Sequence, residues 1–183
     1  MLEHRRESFV ETQYLINVLR QLEGFVSQLG QLKYAETLDH NSSIGAHVRH
    51  CLDHSQCLLQ GLKTGLLSYD HRQRDTELET NSLLARETLQ RQINEFETWG
   101  LLNSSEVPIT VQLQTSTEPV LFSETRSTLA REILFVASHT VHHMALIKAL
   151  SVQKLPASLP RQFGVALSTQ THQKEYSANE AAT

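Results

Sequence analysis

The sequence has few cysteines, and this limits the chemistry that we expect of it. Its 183 residues include two cysteines, Cys51 and Cys57. They lie six positions apart in one predicted helix and therefore on different faces, so we expect no disulfide between them. Both are expected to be small buried residues rather than nucleophiles. The segment after Met1 has no apolar signal core, so the reducing cytoplasm is the predicted compartment.

Long apolar runs and basic blocks are also missing. No stretch approaches the roughly 20 apolar residues of a membrane span, so we predict no membrane association. The net charge is -4 and no basic block stands out, which argues against a nucleic-acid partner. The length suits a single domain. We predict one domain over residues 1–168 and a flexible C-terminal tail over residues 169–183.

What the sequence does have is histidine, and three of its ten histidines lie in one apolar helical stretch, residues 135–147. His139 and His143 are spaced i, i+4 and share a helix face, which the neighbouring apolar residues predict to point inward. Buried imidazoles need partners, and a metal ion is one of them. The alternatives are histidines bonded to carbonyls and a chance pairing. Thr140 replaces the glutamate of the zinc-protease His-Glu-x-x-His pattern, so a third ligand must come from elsewhere.

Apolar periodicity predicts four long helices, over about residues 8–29, 44–63, 76–99 and 124–152. Between the last two, residues 109–114 alternate apolar and polar side chains, and residues 120–122 could form a short return strand. Two strands alone are marginal. We therefore predict an all-α fold, a four-helix bundle with a small hairpin or extended crossover before the last helix. Bundles commonly build metal sites from facing helices.

The second predicted helix carries another cluster, His47, His50 and His54, which could supply the third ligand. Measured from the centre of its apolar stripe, His47 is the most inward of the three. A bundle helix contacts two neighbours, however, so His50 could face the fourth helix instead. The residues alone leave the choice between His47 and His50 open.

Two motifs carry a resemblance to a known family. The run Ser43-Ile44-Gly45-Ala46-His47-Val48-Arg49-His50-Cys51-Leu52-Asp53-His54, together with His139-Thr140-Val141-His142-His143, resembles the DinB-like superfamily. This superfamily is also called the YfiT-like metal-dependent hydrolases. Its members have a similar chain length and an up-down-down-up four-helix bundle. Their metal site uses one histidine that opens a His-x-x-Asp run and a His-x-x-x-His pair in the last helix. The resemblance therefore implies a metal site formed by His50, His139 and His143.

Three imidazoles leave one position open on a tetrahedral ion, as in catalytic zinc sites. The resemblance implies a hydrolase or a transferase that uses a low-molecular-weight thiol, acting on a small-molecule substrate. Zinc or nickel is the expected ion, although imidazole also suits iron and copper. The rival interpretation is a non-catalytic metal-binding module for stress response or interaction. A homodimer is left open.

Other polar residues have weaker claims. His142 points about 100° away from the His139–His143 face, since adjacent helical residues differ by that angle. Glu132 is two turns before His139 and is either a partner of a ligand or a surface carboxylate. Arg72 and Arg74 could bind an anionic substrate, and loop arginines are otherwise solvated.

Overall fold

Helices and strands are interleaved along the chain in the computed structural model, which describes residues 10–37, 42–72, 77–102, 107–150 and 159–181. In chain order the elements are α1 (Val10–Gln28), α2 (Gln31–Ala35), α3 (Ile44–Thr64), β1 (Leu66–Ser68), α4 (Glu77–Thr80), α5 (Ser82–Leu102), β2 (Pro108–Thr117), β3 (Val120–Thr128), α6 (Leu129–Leu150) and α7 (Leu167–Ala181). The predicted helix boundary near residue 124 is wrong, because residues 120–128 belong to β3.

The four long helices pack around one core. Helix α1 contacts α5 and α6, and α3 contacts the same two helices. Burial of large apolar side chains is the main stabilising term, worth about 1.5–3 kcal/mol for each fully buried leucine or phenylalanine. The large side chains that are almost fully buried in this core include Leu15, Leu19, Leu22, Leu52, Leu58, Leu89, Phe96 and Leu129.

Side-chain contacts give the relative directions of these helices. Ser55 of α3 donates to Gln92 of α5 at 2.7 Å, and Lys63 lies 3.8 Å from Glu95, so α3 and α5 run the same way. Helices α3 and α6 run in opposite directions, because His47 contacts His143 while the later residue His50 contacts the earlier residue His139. This antiparallel pair positions the histidines.

A three-stranded sheet covers part of the helical layer. The strand order is β1-β2-β3, with β1 parallel to β2 and β2 antiparallel to β3. Leu67 pairs with Val111 across β1 and β2, and both side chains are buried. Every residue of β3 is at least partly exposed. The sheet therefore places one face of β1 and β2 on the core and leaves β3 at the edge.

The predicted all-α fold is wrong, because the described residues form a mixed fold of helices and a mixed sheet. The alternation in residues 109–114 does mark a strand, but β2 extends over Pro108–Thr117 and pairs with nine residues of β3. Strand β1 has only three residues, too few to show a period. So short a segment does not predict a parallel partner strand for β2.

Local chemistry fixes both ends of α3. The Ser43 side chain accepts a hydrogen bond from the amide of Ala46 at 2.9 Å, the usual N-cap arrangement. At the other end, Gly65 adopts a left-handed conformation with φ of 74°, which favours glycine. Near the start, Gly45 lies so close to α4 that an added Cβ would overlap the Glu79 carbonyl. The register of the helix that carries His47 and His50 is therefore closely constrained.

Helix α6 is long and apolar enough to span a membrane by composition alone, with a mean hydropathy of 1.3. Here it packs against α1 and α3, and Ile133, Val136 and Ala137 are fully buried. It also carries the fully buried carboxylate Glu132. Helix α6 thus packs as a core helix among the residues that the structure describes.

The C-terminal part of the described chain forms α7, in which most residues are exposed. Helix α7 includes most of residues 169–183, the segment predicted to be a flexible tail. Before it, Phe163 is fully buried and its ring centroid lies 4.7 Å from that of Phe25. The division into residues 1–168 and 169–183 stays a prediction.

Candidate metal centre

The antiparallel pairing of α3 and α6 brings four histidines face to face. His139 and His143 are one turn apart on α6, and His50 and His47 oppose them from α3. The Nε2 atoms of His50 and His139 are 2.8 Å apart, and the Nδ1 atoms of His47 and His143 are 3.0 Å apart. Two helical motifs separated by almost ninety residues therefore form one cluster.

His50, His139 and His143 form the compact part of this cluster. One nitrogen from each of the three rings lies within 4.8 Å of the others. The ring centroid of His143 is 4.4 Å from that of His50 and 4.6 Å from that of His139. All three residues are partly buried. These are the residues predicted as ligands, and the structure brings them together.

The donor set fits a divalent ion that prefers nitrogen. Bonds of 2.0–2.1 Å in tetrahedral geometry separate neighbouring donors by about 3.4 Å, within the range spanned by these nitrogens. Burial lowers the pKa of His50 to about 2 and that of His143 to about 3, and it also lowers the pKa of His139. The rings are therefore neutral near pH 7, the form that binds metal. Within the described residues, no carboxylate or cysteine joins this group of three.

His47 contacts His143 but does not belong to the group of three histidines. Its Nε2 lies 3.3 Å from the hydroxyl oxygen of Ser42, while its Nδ1 faces Nδ1 of His143. If His47 donates from Nε2 to Ser42, its Nδ1 accepts the proton of His143 Nδ1. That arrangement leaves Nε2 of His143 as a free acceptor for a metal. The sequence left open whether His47 or His50 is the third ligand. In the structure His50 belongs to the group of three, and His47 contacts His143 instead.

His54 and His142 have different surroundings. His54 is buried, donates from Nδ1 to the backbone carbonyl of His50 at 2.9 Å, and stacks on Tyr69 with centroids 5.2 Å apart. Burial lowers the pKa of His54 to about 4. His142 is exposed and does not belong to the group of three. His54 therefore packs against His139, and the centroids of the two rings are 4.2 Å apart.

A buried carboxylate anchors the residues beneath the histidines. Glu132 is fully buried, so its interpretation as a surface carboxylate is wrong. It accepts hydrogen bonds from Tyr69 at 3.0 Å, Ser127 at 2.6 Å and Arg131 at 2.7 Å. Burial and the neighbouring Glu132 charge raise the pKa of Tyr69 well above its usual range, so its hydroxyl stays a donor. Glu132 is thus connected to the histidine cluster through Tyr69, which stacks on His54.

Arg72 reaches the site from the loop after β1. Its NH1 group donates to Nδ1 of His50 at 2.9 Å. Its Nε is buried and has no hydrogen-bond partner among the residues that the structure describes. The guanidinium charge contributes to the lowered pKa values of His50, His54 and His139. Arg74, the other arginine predicted to bind an anion, lies outside the described residues.

The cysteines are free and buried, as predicted. Burial raises the pKa of Cys51 to about 12 and that of Cys57 to about 11. Both are therefore protonated near neutral pH, and neither supplies a thiolate nucleophile.

Comparison with models of protein families finds no match to the chain, and comparison with solved structures finds none either. Among curated proteins, FK506-binding protein 5 of Rhizopus delemar is 30% identical over 113 residues. These residues make up 60% of this chain and 28% of that protein. The match therefore spans little more than a quarter of the relative.

Proposed function

We propose that the chain is a metal-dependent enzyme that acts on a small molecule in the cytoplasm. His50, His139 and His143 bind one divalent ion, zinc or nickel, and leave a position open for substrate. The observation that carries this proposal is the convergence of three imidazole nitrogens, from two helices, within 4.8 Å.

The reaction proposed is hydrolysis or transfer of a low-molecular-weight thiol. A divalent ion would supply a Lewis acid that lowers the pKa of a water or thiol in its open position. The protein's own residues hold the rings in place. His47 orients His143, and His54 packs on His139. Tyr69, which is hydrogen-bonded to Glu132, stacks on His54. The protonated state of both cysteines favours an external nucleophile over one from the protein.

Membership of the DinB-like superfamily stays part of the proposal. It rests on the two histidine motifs, since no family model supports it. FK506 binding is not proposed, because the match covers only 28% of the protein that carries that name. Whether the protein forms a homodimer stays open.

The rival function is a non-catalytic metal-binding module. A protein side chain in the fourth position would favour it, because structural zinc sites are closed by four ligands. The described residues offer three grouped ligands and no fourth, which favours the enzyme.

The activity of the metal-loaded protein distinguishes an enzyme from a non-catalytic metal-binding module. The protein is assayed with 1-chloro-2,4-dinitrobenzene and a panel of low-molecular-weight thiols, where the new carbon–sulfur bond replaces the carbon–chlorine bond and chloride leaves. Simple esters and amides test hydrolysis. We expect at least one reaction to be faster than with metal-treated His139→Ala. Metal binding without any such reaction would favour the non-catalytic module.

A further inference from the structure

We propose that Arg72 binds a carboxylate of the substrate, and that metal binding releases Arg72 from His50 for this purpose. The proposal rests on the proposed metal site and names the class of its substrate. It follows from the hydrogen bond between Arg72 and His50, from the unpartnered Nε of Arg72 and from the charge of the site.

The hydrogen bond fixes where the proton of His50 lies. A guanidinium group has donors and no acceptor, so Nδ1 of His50 must accept from NH1 of Arg72. A neutral imidazole carries one proton, which therefore lies on Nε2. That nitrogen is 2.8 Å from Nε2 of His139, which accepts the proton.

This arrangement is incompatible with metal binding through Nε2 of His50. A ligating nitrogen must have its lone pair free, so the proton has to move to Nδ1. A protonated Nδ1 cannot accept from Arg72. Metal binding therefore breaks the Arg72–His50 hydrogen bond, and Arg72 competes with the metal.

The released guanidinium is suited to an oxyanion. Nε of Arg72 is buried and has no partner among the described residues, even while NH1 is engaged. A buried donor without a partner is destabilising, and an acceptor on the substrate would remove this penalty. Arginine binds carboxylates with two parallel hydrogen bonds, one from each of two neighbouring N–H groups.

The charge of the loaded site also favours an anion. Three neutral imidazoles, one guanidinium and a divalent ion sum to three positive charges. Of the nearby carboxylates, Asp53 pairs with Arg49 at 2.8 Å and Glu132 with Arg131 at 2.7 Å, whereas Asp70 accepts from the neutral amide of Gln114 at 2.6 Å and offsets part of this sum. A substrate carboxylate next to Arg72 would reduce the repulsion between the guanidinium and the ion. Binding of metal and binding of carboxylate should therefore strengthen each other by the same factor.

Calorimetric titration of zinc into the metal-free protein tests this linkage. Wild type, Arg72→Met and the control Arg126→Met are compared in sodium chloride and in sodium acetate of equal ionic strength. Arg126 is an exposed arginine of β3, so its change keeps the net charge of the two variants equal. In chloride we expect Arg72→Met to bind zinc about tenfold more tightly than wild type, because a charge-assisted hydrogen bond no longer competes. Acetate should tighten zinc binding to wild type and to Arg126→Met, and leave Arg72→Met unchanged.

Three results would overturn the proposal. Arg72→Met could bind zinc no more tightly than wild type, or acetate could act equally on all three proteins. In both cases the metal site stands and the role of Arg72 fails. If wild type binds neither zinc nor nickel, the proposed function fails and this proposal fails with it.

A measurement on the metal-free protein separates these cases further. Nitrogen NMR of the histidine rings reports which nitrogen carries the proton. We expect His50 to carry it on Nε2 in wild type and to gain the Nδ1-protonated form in Arg72→Met. An unchanged His50 ring in Arg72→Met would contradict the hydrogen-bond argument, whatever the metal does.

Discussion

Nδ1 of His47 lies 3.0 Å from Nδ1 of His143, so one imidazole supports another across the α3–α6 interface. The hydroxyl of Ser42 lies on the far side of His47, at 3.3 Å from its Nε2. If His143 binds the proposed metal, these contacts suit His47 to orienting that ligand rather than to binding the ion itself.

The first prediction concerns His47. His47→Ala should weaken metal binding by about 10- to 100-fold, the usual effect of removing the group that orients a ligand. The metal content at saturation should not change, because the three ligands remain. His47→Gln should recover part of the affinity, since its amide oxygen can accept from His143. Competition with a chromophoric chelator measures the affinities.

His142→Ala serves as the control for that experiment, because His142 is exposed on the same helix as His143. Loss of bound metal at saturation in His47→Ala would make His47 a ligand. Equal affinities of His47→Ala and His142→Ala would remove the orienting role.

The second prediction concerns the buried carboxylate. Tyr69→Phe removes the donor that faces Glu132 at 3.0 Å and should lower the free energy of unfolding by about 1.5–3 kcal/mol. Tyr176→Phe, at an exposed tyrosine of α7, should change it by less than about 0.5 kcal/mol. Urea denaturation of both metal-free variants measures the difference. Equal stabilities would mean that the Tyr69 hydroxyl does not stabilise the fold.

The third prediction concerns the close approach of α3 and α4. A Cβ at Gly45 would overlap the Glu79 carbonyl and lie 2.7 Å from Cε1 of Tyr34. Gly45→Ala should therefore destabilise the protein by about 1–3 kcal/mol or more, as overpacking does. Gly24→Ala is the matched control, because no atom lies within 4 Å of its added Cβ. It should stabilise α1 by about 0.5–1 kcal/mol. Thermal melts that rank the two variants in the opposite order would contradict this packing.

The fourth prediction concerns acid. Unfolded histidines titrate near about 6.5. Folded His54, His143 and His50 have pKa values lowered to about 4, 3 and 2. Below pH of about 6.5 the unfolded chain therefore binds protons that the folded chain does not, and stability falls. The stability that these neutral histidines contribute is present above pH of about 6.5 and is lost as the pH falls towards their pKa values in the folded protein.

Urea denaturation of the chelator-treated protein at pH of about 7.5 and about 5.5 measures this loss on either side of the unfolded pKa. The extra stability of the metal-loaded form should also shrink over this interval, since protons compete for the imidazoles. A metal-free protein that is equally stable at both values would contradict the burial of neutral histidines.

The helical part of the site could be predicted because local spacing determines it. His139 and His143 share a face whenever residues 139–143 are helical, and the matching motif pointed to His50. The contact between His47 and His143 could not be predicted in the same way. It depends on the crossing of α3 over α6, which the phase of one helix does not specify.

The sheet was underestimated because its signals are weak. Residues of β3 are exposed along most of the strand, so Val120, Leu121 and Phe122 do not alternate with buried partners. The burial of Glu132 was equally hidden, since its donors Tyr69 and Ser127 come from other segments. Tyr69 is 63 residues from Glu132 and Ser127 only five, but both lie outside α6, so the pattern of that helix does not show them.

The central claim, that His50, His139 and His143 bind one divalent ion, is tested most directly by elemental analysis of protein purified without a histidine tag. Wild type and His142→Ala should each contain one equivalent of metal, while His50→Ala, His139→Ala and His143→Ala should contain little. Circular dichroism checks that each variant is folded. A metal-free wild type that takes up none on reconstitution, or a His50→Ala that retains its metal while His142→Ala loses it, would contradict the account.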